Sequence, residues 1–178
     1  MDKYQMANEG PRKPAAVIPK LVWWKPLSQG QYKVNTDDAM FSNQRKVGLG
    51  VMIRDSTKSV IAALSSPMVG SLGALKTEAK AMEIGMRFAQ DVGIWDVVFE
   101  SDSLEVYNAV KGTMTLSSSI HFIVDGIHQQ ACMFKSCSFS DTERQGNVYT
   151  HMLAQYSKSL ISYIACDRPK TNWPLVIN

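Results

Sequence analysis

Two adjacent aspartates, Asp37 and Asp38, stand at the end of the segment YKVNTD (32–37), whose partly alternating pattern predicts a β-strand. Neighbouring carboxylates repel each other, and strands disfavour aspartate. A pair of acids at such a place therefore needs an explanation. We treat Asp37, which ends the predicted strand, as a candidate for metal binding or catalysis.

Glu78 lies in the segment ALKTEAKAMEIGMRFAQDVG (74–93), where polar residues recur at helical spacing. This pattern predicts an amphipathic helix that ends near Gly93. Glu83 lies on the polar stripe, and solvation alone explains it. Glu78 lies off the stripe, on the face that we expect to pack against a sheet. A carboxylate there is destabilising unless it is paired, protonated or bound to a metal, and its placement favours function over structural pairing.

Asp102 follows the segment WDVVFES (95–101), which predicts a short buried strand. Ligands gather at the carboxyl ends of strands in open α/β sheets, so the position suits a binding residue. Asp102 with Glu105 also fits a helix N-cap and capping box. Both interpretations stay open, because a capping side chain can still offer an oxygen atom to a metal.

These three acids would meet at one end of the sheet if the first strand is central. Three carboxylates in one place repel strongly, and a hard divalent cation relieves the repulsion. Mg²⁺ suits an all-oxygen site that keeps water ligands and accepts substrate phosphates. Two such ions about 3.5–4 Å apart would activate water and stabilise the leaving oxygen in phosphodiester cleavage.

The remaining elements alternate as expected for an α/β protein with a partly parallel sheet. The segments VGLGVMIRD (47–55) and SVIAAL (59–64) are joined by the short turn DSTK and predict an antiparallel hairpin. Further along, the pattern predicts helices over 102–112, about 119–132 and about 146–160, and a last strand over 135–140. The predicted order is β-β-β-α-β-α-α-β-α.

Composition places the chain among ordinary globular proteins, with 178 residues, 45% hydrophobic and 20% charged. Its three cysteines show no C-x-x-C spacing, which argues against a disulfide framework or a zinc site. No apolar run approaches the roughly 18 residues of a membrane span, and residues 1–20 lack the apolar segment of a secretory signal. We expect an intracellular protein, cytoplasmic or nuclear, without membrane contact.

The net charge of +3 is unevenly spread, since residues 1–33 hold six Lys/Arg against two Asp/Glu. We expect three parts: a disordered or loosely packed basic leader (1–22), one domain (23–165) and a C-terminal tail (166–178). The leader either contacts nucleic acid non-specifically or is a solvated tail. The nearly neutral body lacks the basic footprint of a tight nucleic-acid binder.

Five segments, taken in order, resemble the type 1 ribonuclease H-like domain in the form found widely in plants and related to retrotransposon polyproteins. They are KVNTDDA, GLGVMIRD, TEAKAMEIGM, FESDSLEVYNAV and FSDTERQGNVYTHMLA, and the lead-in WWKPLSQGQYKVN resembles the same group. The resemblance covers roughly residues 23–160. It implies a five-stranded mixed sheet flanked by helices and an acidic site of four carboxylates. Such a site binds two Mg²⁺ and cleaves the RNA strand of an RNA/DNA hybrid, with Asp37, Glu78 and Asp102 as the first three acids.

The fourth family acid corresponds to His151, four residues after Asn147 of the Gly-Asn motif. A neutral histidine is a poor Mg²⁺ ligand, but it can bind Mn²⁺, shuttle protons, or be an ordinary helix residue. The resemblance also implies that Asn147 helps to position the substrate. A family histidine in the preceding loop corresponds to Asp141, so the proton-transfer role there is lost or altered.

The family has glycine where this chain has Asp38, and glycine allows close approach of a nucleic-acid backbone. Asp38 adds bulk and negative charge at this point, so we expect it to hinder the substrate. It is also a candidate for the missing fourth carboxylate, but adjacent residues of a strand face opposite ways. We therefore favour Asp37 as the metal ligand and Asp38 as a substrate contact.

Three functions remain compatible with the sequence. The first is a metal-dependent endonuclease on RNA/DNA hybrids, with Mg²⁺ or Mn²⁺ at the three acids and His151 as a further catalytic residue. The second is a catalytically impaired domain that binds a hybrid or other nucleic acid without cutting it. The third is a protein-interaction module that uses the Trp23/Trp24 lead-in or the terminal segment RPKTNWPLVIN. The three retained acids favour the first.

Overall fold

The computed structural model describes residues 27–70 and 72–167. The expected leader, the Trp23/Trp24 lead-in and the terminal segment RPKTNWPLVIN lie outside the described residues. The strands are β1 (Tyr32–Phe41), β2 (Lys46–Arg54), β3 (Val60–Val69), β4 (Asp96–Ser101), β5 (Ser136–Asp141) and β6 (Ile164–Asp167). The helices are α1 (Ala74–Asp91), α2 (Leu104–Val110), α3 (Ser118–Ala131) and α4 (Arg144–Tyr156), with short 3-10 helices at Ser42–Gln44 and Ser157–Ser159.

Across the described residues the strands form one mixed sheet in the order β5-β4-β1-β2-β3-β6. β1 pairs with β2, β2 with β3 and β3 with β6 antiparallel, whereas β1 pairs with β4 and β4 with β5 in parallel. The predicted fold class and the β2–β3 hairpin are confirmed. The predicted number of five strands is wrong, because β6 adds a sixth strand in the described residues.

Apolar side chains of β1, β2 and β4 pack against α1, with α2 and α3 on the same side of the sheet. Phe99 of β4 lies at the centre of an aromatic group, 5.4 Å from the ring of Phe134 and 6.0 Å from that of Phe139. This core holds β4 against α1. Asp102 lies just beyond β4, and Glu78 lies in the second turn of α1. In the described ranges no helix has the length and apolar character needed to cross a membrane.

Helix α4 packs on the opposite face of the sheet, directly against the backbone of β2. Glycine makes this approach possible: a Cβ atom on Gly50 would meet the Thr150 carbonyl, and one on Gly48 would meet the Ala154 carbonyl. The close packing fixes the height of α4 above the central strands. It thereby fixes His151, which lies between these two contact points in the sequence.

The position of Glu83 on the polar stripe of α1 predicted a solvated side chain. This prediction is wrong. Only 8% of the residue is exposed, because α3 covers this side of α1 and Gly126 lies close to it. Its carboxylate is paired with Lys80 and with Arg87, whose Nη2 lies 2.7 Å from Oε1. At this point the polar stripe forms ion pairs beside a helix–helix contact.

Candidate active site

The two adjacent aspartates project to opposite faces of β1. Even-numbered residues of this strand face α1, as shown by Val34 and Thr36, whose side chains lie next to Gly85. Asp38 therefore faces α1, and Asp37 faces α4. β1 thus carries one carboxylate on the α1 side of the sheet and one on the α4 side.

Asp37 is held by two neighbours. Its Oδ1 accepts a hydrogen bond from the backbone N–H of Asp38 at 2.8 Å. Its Oδ2 lies 3.1 Å from Nδ1 of His151, which is half exposed on α4. The Asp37 side chain is only 7% exposed, so these contacts take the place of most of its contacts with water.

Glu78 approaches from α1 and meets both aspartates. Ligand oxygens of Asp37, Asp38 and Glu78 all lie within 4.8 Å of one another. At this separation, a proton on the carboxyl group of Asp38 or Glu78 would let that group donate a hydrogen bond to the other. The alternation of side chains was predicted to keep Asp38 away from the acidic site. That inference is wrong, because the face to which alternation sends Asp38 is the one that α1 covers with Glu78.

Asp102 lies just beyond β4. The capping-box interpretation, in which Asp102 is the N-cap of α2, is wrong. Ser103 is the cap, and its Oγ accepts a hydrogen bond from the Val106 amide at 3.3 Å. The Asp102 carboxylate is turned towards α4: Oδ1 accepts from Asn147 Nδ2 at 3.0 Å, and Oδ2 lies 3.8 Å from Nε of Arg144. Asp102 stays outside the three-acid group, although its charge acts on all three members.

Asn147 ties α4 to the sheet. Its Nδ2 donates both to Asp102 and to the backbone carbonyl of Thr36 at 3.0 Å. The residue is 1% exposed, so any effect on a substrate would pass through Asp102. The substrate-positioning role of Asn147 and the metal-binding and catalytic roles of the other site residues stay predictions.

Burial and mutual repulsion shift the proton affinities of this group. Burial, followed by the charge of Asp102, raises the pKa of Asp37 to about 6. Burial, followed by the charge of Asp38, raises the pKa of Glu78 to about 9. Burial also raises the pKa of Asp38, while its hydrogen bond with Glu78 acts in the opposite direction. The cluster therefore has a strong affinity for positive charge, whether a proton or a metal ion.

The donor set fits a hard divalent cation. All three close groups are carboxylates, the ligands that Mg²⁺ and Mn²⁺ prefer. Glu78 Oε2 is buried and has no hydrogen-bond partner. Among residues 27–70 and 72–167, neither Asp38 nor Glu78 forms an ion pair with a basic side chain.

A buried polar network next to the site was missed by sequence reasoning. Lys33 Nζ lies 2.7 Å from Glu100 Oε1, and both side chains are almost fully buried. Asn35 donates to Glu100 at 3.2 Å and accepts from Arg54 at 2.7 Å. Lys33 is therefore part of the folded domain and not of a basic N-terminal leader. The signal that could have found the network is the polar series Lys33, Asn35, Asp37 at alternate positions of β1.

Comparison with known proteins agrees with this arrangement. The sequence matches the model of the reverse transcriptase-like family over residues 35–157, more than half of the chain. The chain belongs to this family. No curated protein matches the sequence.

Solved structures show the same fold. RNase H1 of the halophilic archaeon Halobacterium salinarum superposes with a TM-score of 0.68 at 18% identity, covering 72% of this chain and 97% of that one. The N-terminal RNase H domain of a Mycobacterium tuberculosis protein gives 0.65 at 18%, covering 71% and 92%. LC11-RNase H1 in complex with an RNA/DNA hybrid gives 0.64 at 17%, covering 71% and 95%. This member of the reverse transcriptase-like family therefore has an RNase H-like fold.

Proposed function

We propose that the chain is a metal-dependent endonuclease of the ribonuclease H type that hydrolyses the RNA strand of RNA/DNA hybrids. The observation that carries the proposal is the close group of Asp37, Asp38 and Glu78 in an RNase H-like fold. It is supported by the likeness to LC11-RNase H1, which was solved with such a hybrid.

In this function Asp37, Glu78 and Asp102 hold Mg²⁺ or Mn²⁺. The bound ion would activate a water molecule and stabilise the leaving oxygen. His151 is half exposed beside Asp37, where its imidazole can carry a proton between the site and solvent. Asn147 keeps Asp102 oriented from the buried side of α4.

The family model that matches the chain is a reverse transcriptase-like one, which supports a finer assignment. We propose that the chain belongs to the plant group of ribonuclease H-like domains related to retrotransposon polyproteins. We also propose that it is one domain over 23–165 that acts inside the cell, in the cytoplasm or nucleus, away from membranes. A protein partner that adds affinity for the hybrid would suit its nearly neutral body.

The alternative is a catalytically impaired domain that binds nucleic acid or protein without cutting. The contacts of Asp37 favour it, because both of its oxygens are already engaged by Asp38 and His151. Asp38 also adds bulk beside the place where a phosphate would approach, and its expected hindrance of the substrate stays a prediction.

The test is cleavage of a hybrid labelled on the RNA strand, with Mg²⁺ and separately with Mn²⁺. We expect cleavage by the wild type and loss of activity to the detection limit in Asp37→Asn. Asp91→Asn makes the same charge change at an exposed position of α1 and should cleave normally. Salt-sensitive binding of the hybrid that survives Asp37→Asn, without cleavage by the wild type, would support the impaired domain instead.

A further inference from the structure

Two other buried carboxylates in the described part of the chain have basic partners. Glu83 is 8% exposed and pairs with Lys80 and Arg87, and Glu100 is 6% exposed and pairs with Lys33. Burial of an acid is tolerated when a cation lies beside it, and it is strongly destabilising otherwise. We compare the acidic group on β1 and α1 with these pairs.

Asp38 and Glu78 are partly buried and differ from these pairs. Within the described ranges their carboxylates face each other and Asp37, with no lysine or arginine at ion-pair distance. Glu78 Oε2 is buried without a hydrogen-bond partner. Glu83, little more than one turn further along the same helix, has two basic partners. The helix therefore supplies cations where it meets α3 and supplies none where it meets β1.

Position 151 does not provide a carboxylate, and both carboxylate oxygens of Asp102 have neighbours on α4. His151 contributes a ring nitrogen at 3.1 Å from Asp37 Oδ2. Asp102 directs Oδ1 to Asn147 and Oδ2 towards Arg144. The third carboxylate within 4.8 Å of Asp37 and Glu78 is Asp38.

We infer that Asp38 is a metal ligand in this chain, completing a cation site with Asp37 and Glu78 in place of the acid that His151 replaces. The inference rests on the proposed function for the presence of a divalent ion. It changes the role of Asp38 from an obstacle to the substrate into a part of the site. Asp38 would contribute its carboxylate from the α1 side of β1, and His151 lies beside Asp37 on the α4 side.

Metal binding without nucleic acid tests the inference. Mn²⁺ affinity is measured by electron paramagnetic resonance for the wild type, Asp38→Asn and the charge-matched control Asp91→Asn. We expect Asp38→Asn to weaken binding by on the order of 10-fold or more, and the control to match the wild type. The number of water molecules on bound Mn²⁺, read by pulsed resonance in ¹⁷O-labelled water, should increase by one when the Asp38 ligand is lost.

Stability separates ligation from a folding defect. In metal-free buffer Asp38→Asn should melt at a higher temperature than the wild type, because one carboxylate of a repelling group is gone. With saturating Mn²⁺ the order should reverse, because the wild type binds the ion more tightly. The double variant Asp38→Gly/His151→Asp restores the family pattern and should regain affinity over Asp38→Gly alone.

Three results would overturn the inference: Mn²⁺ affinity of Asp38→Asn within twofold of the wild type, an unchanged water count, or no Mn²⁺ binding by the wild type. Cleavage of the hybrid is scored separately. Metal binding that depends on Asp38 without cleavage would refute the endonuclease and leave the cation site. If Asp38→Asn binds Mn²⁺ normally and still cleaves the hybrid, the endonuclease proposal stands and the role of Asp38 as a ligand is refuted.

Discussion

The stability of the metal-free protein should fall as pH rises, because Asp37 and Glu78 bind protons more tightly in the folded state. An acid whose pKa is raised by folding does not reduce the free energy of unfolding below its unfolded-state pKa. It lowers that free energy progressively as pH rises from the unfolded-state pKa to the folded-state pKa. The window runs from the ordinary 3.8 to about 6 for Asp37 and from 4.5 to about 9 for Glu78.

Urea unfolding of metal-free protein at several pH values across that window measures the effect. Glu78→Gln should flatten the fall above about pH 6, since it removes the group that titrates there. Saturating Mg²⁺ should do the same in the wild type. A free energy of unfolding that is level or rises over this range would contradict the expected repulsion.

Single residues were the part of the site most accessible to sequence reasoning, within limits. Helical phase singled out Glu78 because it lies off the polar stripe of α1. The same argument failed for Glu83, since a stripe of charges has the same appearance whether it meets water or another helix. The meeting of Asp38 with Glu78 could not be foreseen, because it depends on which face of β1 is covered by α1.

At the scale of elements, the contact between α4 and β2 decides where His151 stands. Gly50→Ala would place a methyl group against the Thr150 carbonyl and 2.7 Å from the Ala154 backbone nitrogen. We expect a loss of about 1–3 kcal/mol in the free energy of unfolding. Activity on the hybrid should fall as well, because α4 and His151 are pushed away from Asp37.

The matched control is the same substitution in α3. A Cβ atom on Gly126 would lie 3.7 Å from Glu83 Oε1, an ordinary contact, in a residue with helical backbone. Gly126→Ala should therefore stabilise the protein by about 0.4–1 kcal/mol. Chemical denaturation of both variants gives the comparison, and equal losses at the two sites would refute the packing argument.

For the whole molecule, β6 closes one edge of the sheet by pairing with Ala62–Ser65 of β3. The sequence did not predict this strand, since four residues at the end of the domain carry too little pattern to distinguish pairing from a loop. Its main consequence is protection, because an uncovered β3 would offer unpaired backbone groups to another chain.

Two truncations test that consequence. A chain ending at Asp167 keeps β6, and a chain ending at Tyr163 lacks it. The shorter chain should be less stable than the longer one by on the order of 2 kcal/mol and should aggregate on concentration. Urea unfolding and light scattering measure the difference. Equal stability and solubility of the two chains would show that β3 does not need this cover.

The position of β1 in the sheet also sets the order of events during synthesis. Its hairpin partners follow at once, but β4 pairs with it some 65 positions later, and His151 reaches Asp37 across 114 positions. Contacts this distant close slowly, because long loops lose entropy before they gain contacts. A ribosome releases the two aspartates early and His151 late. The complete site therefore exists in no nascent chain shorter than the one that already contains α4.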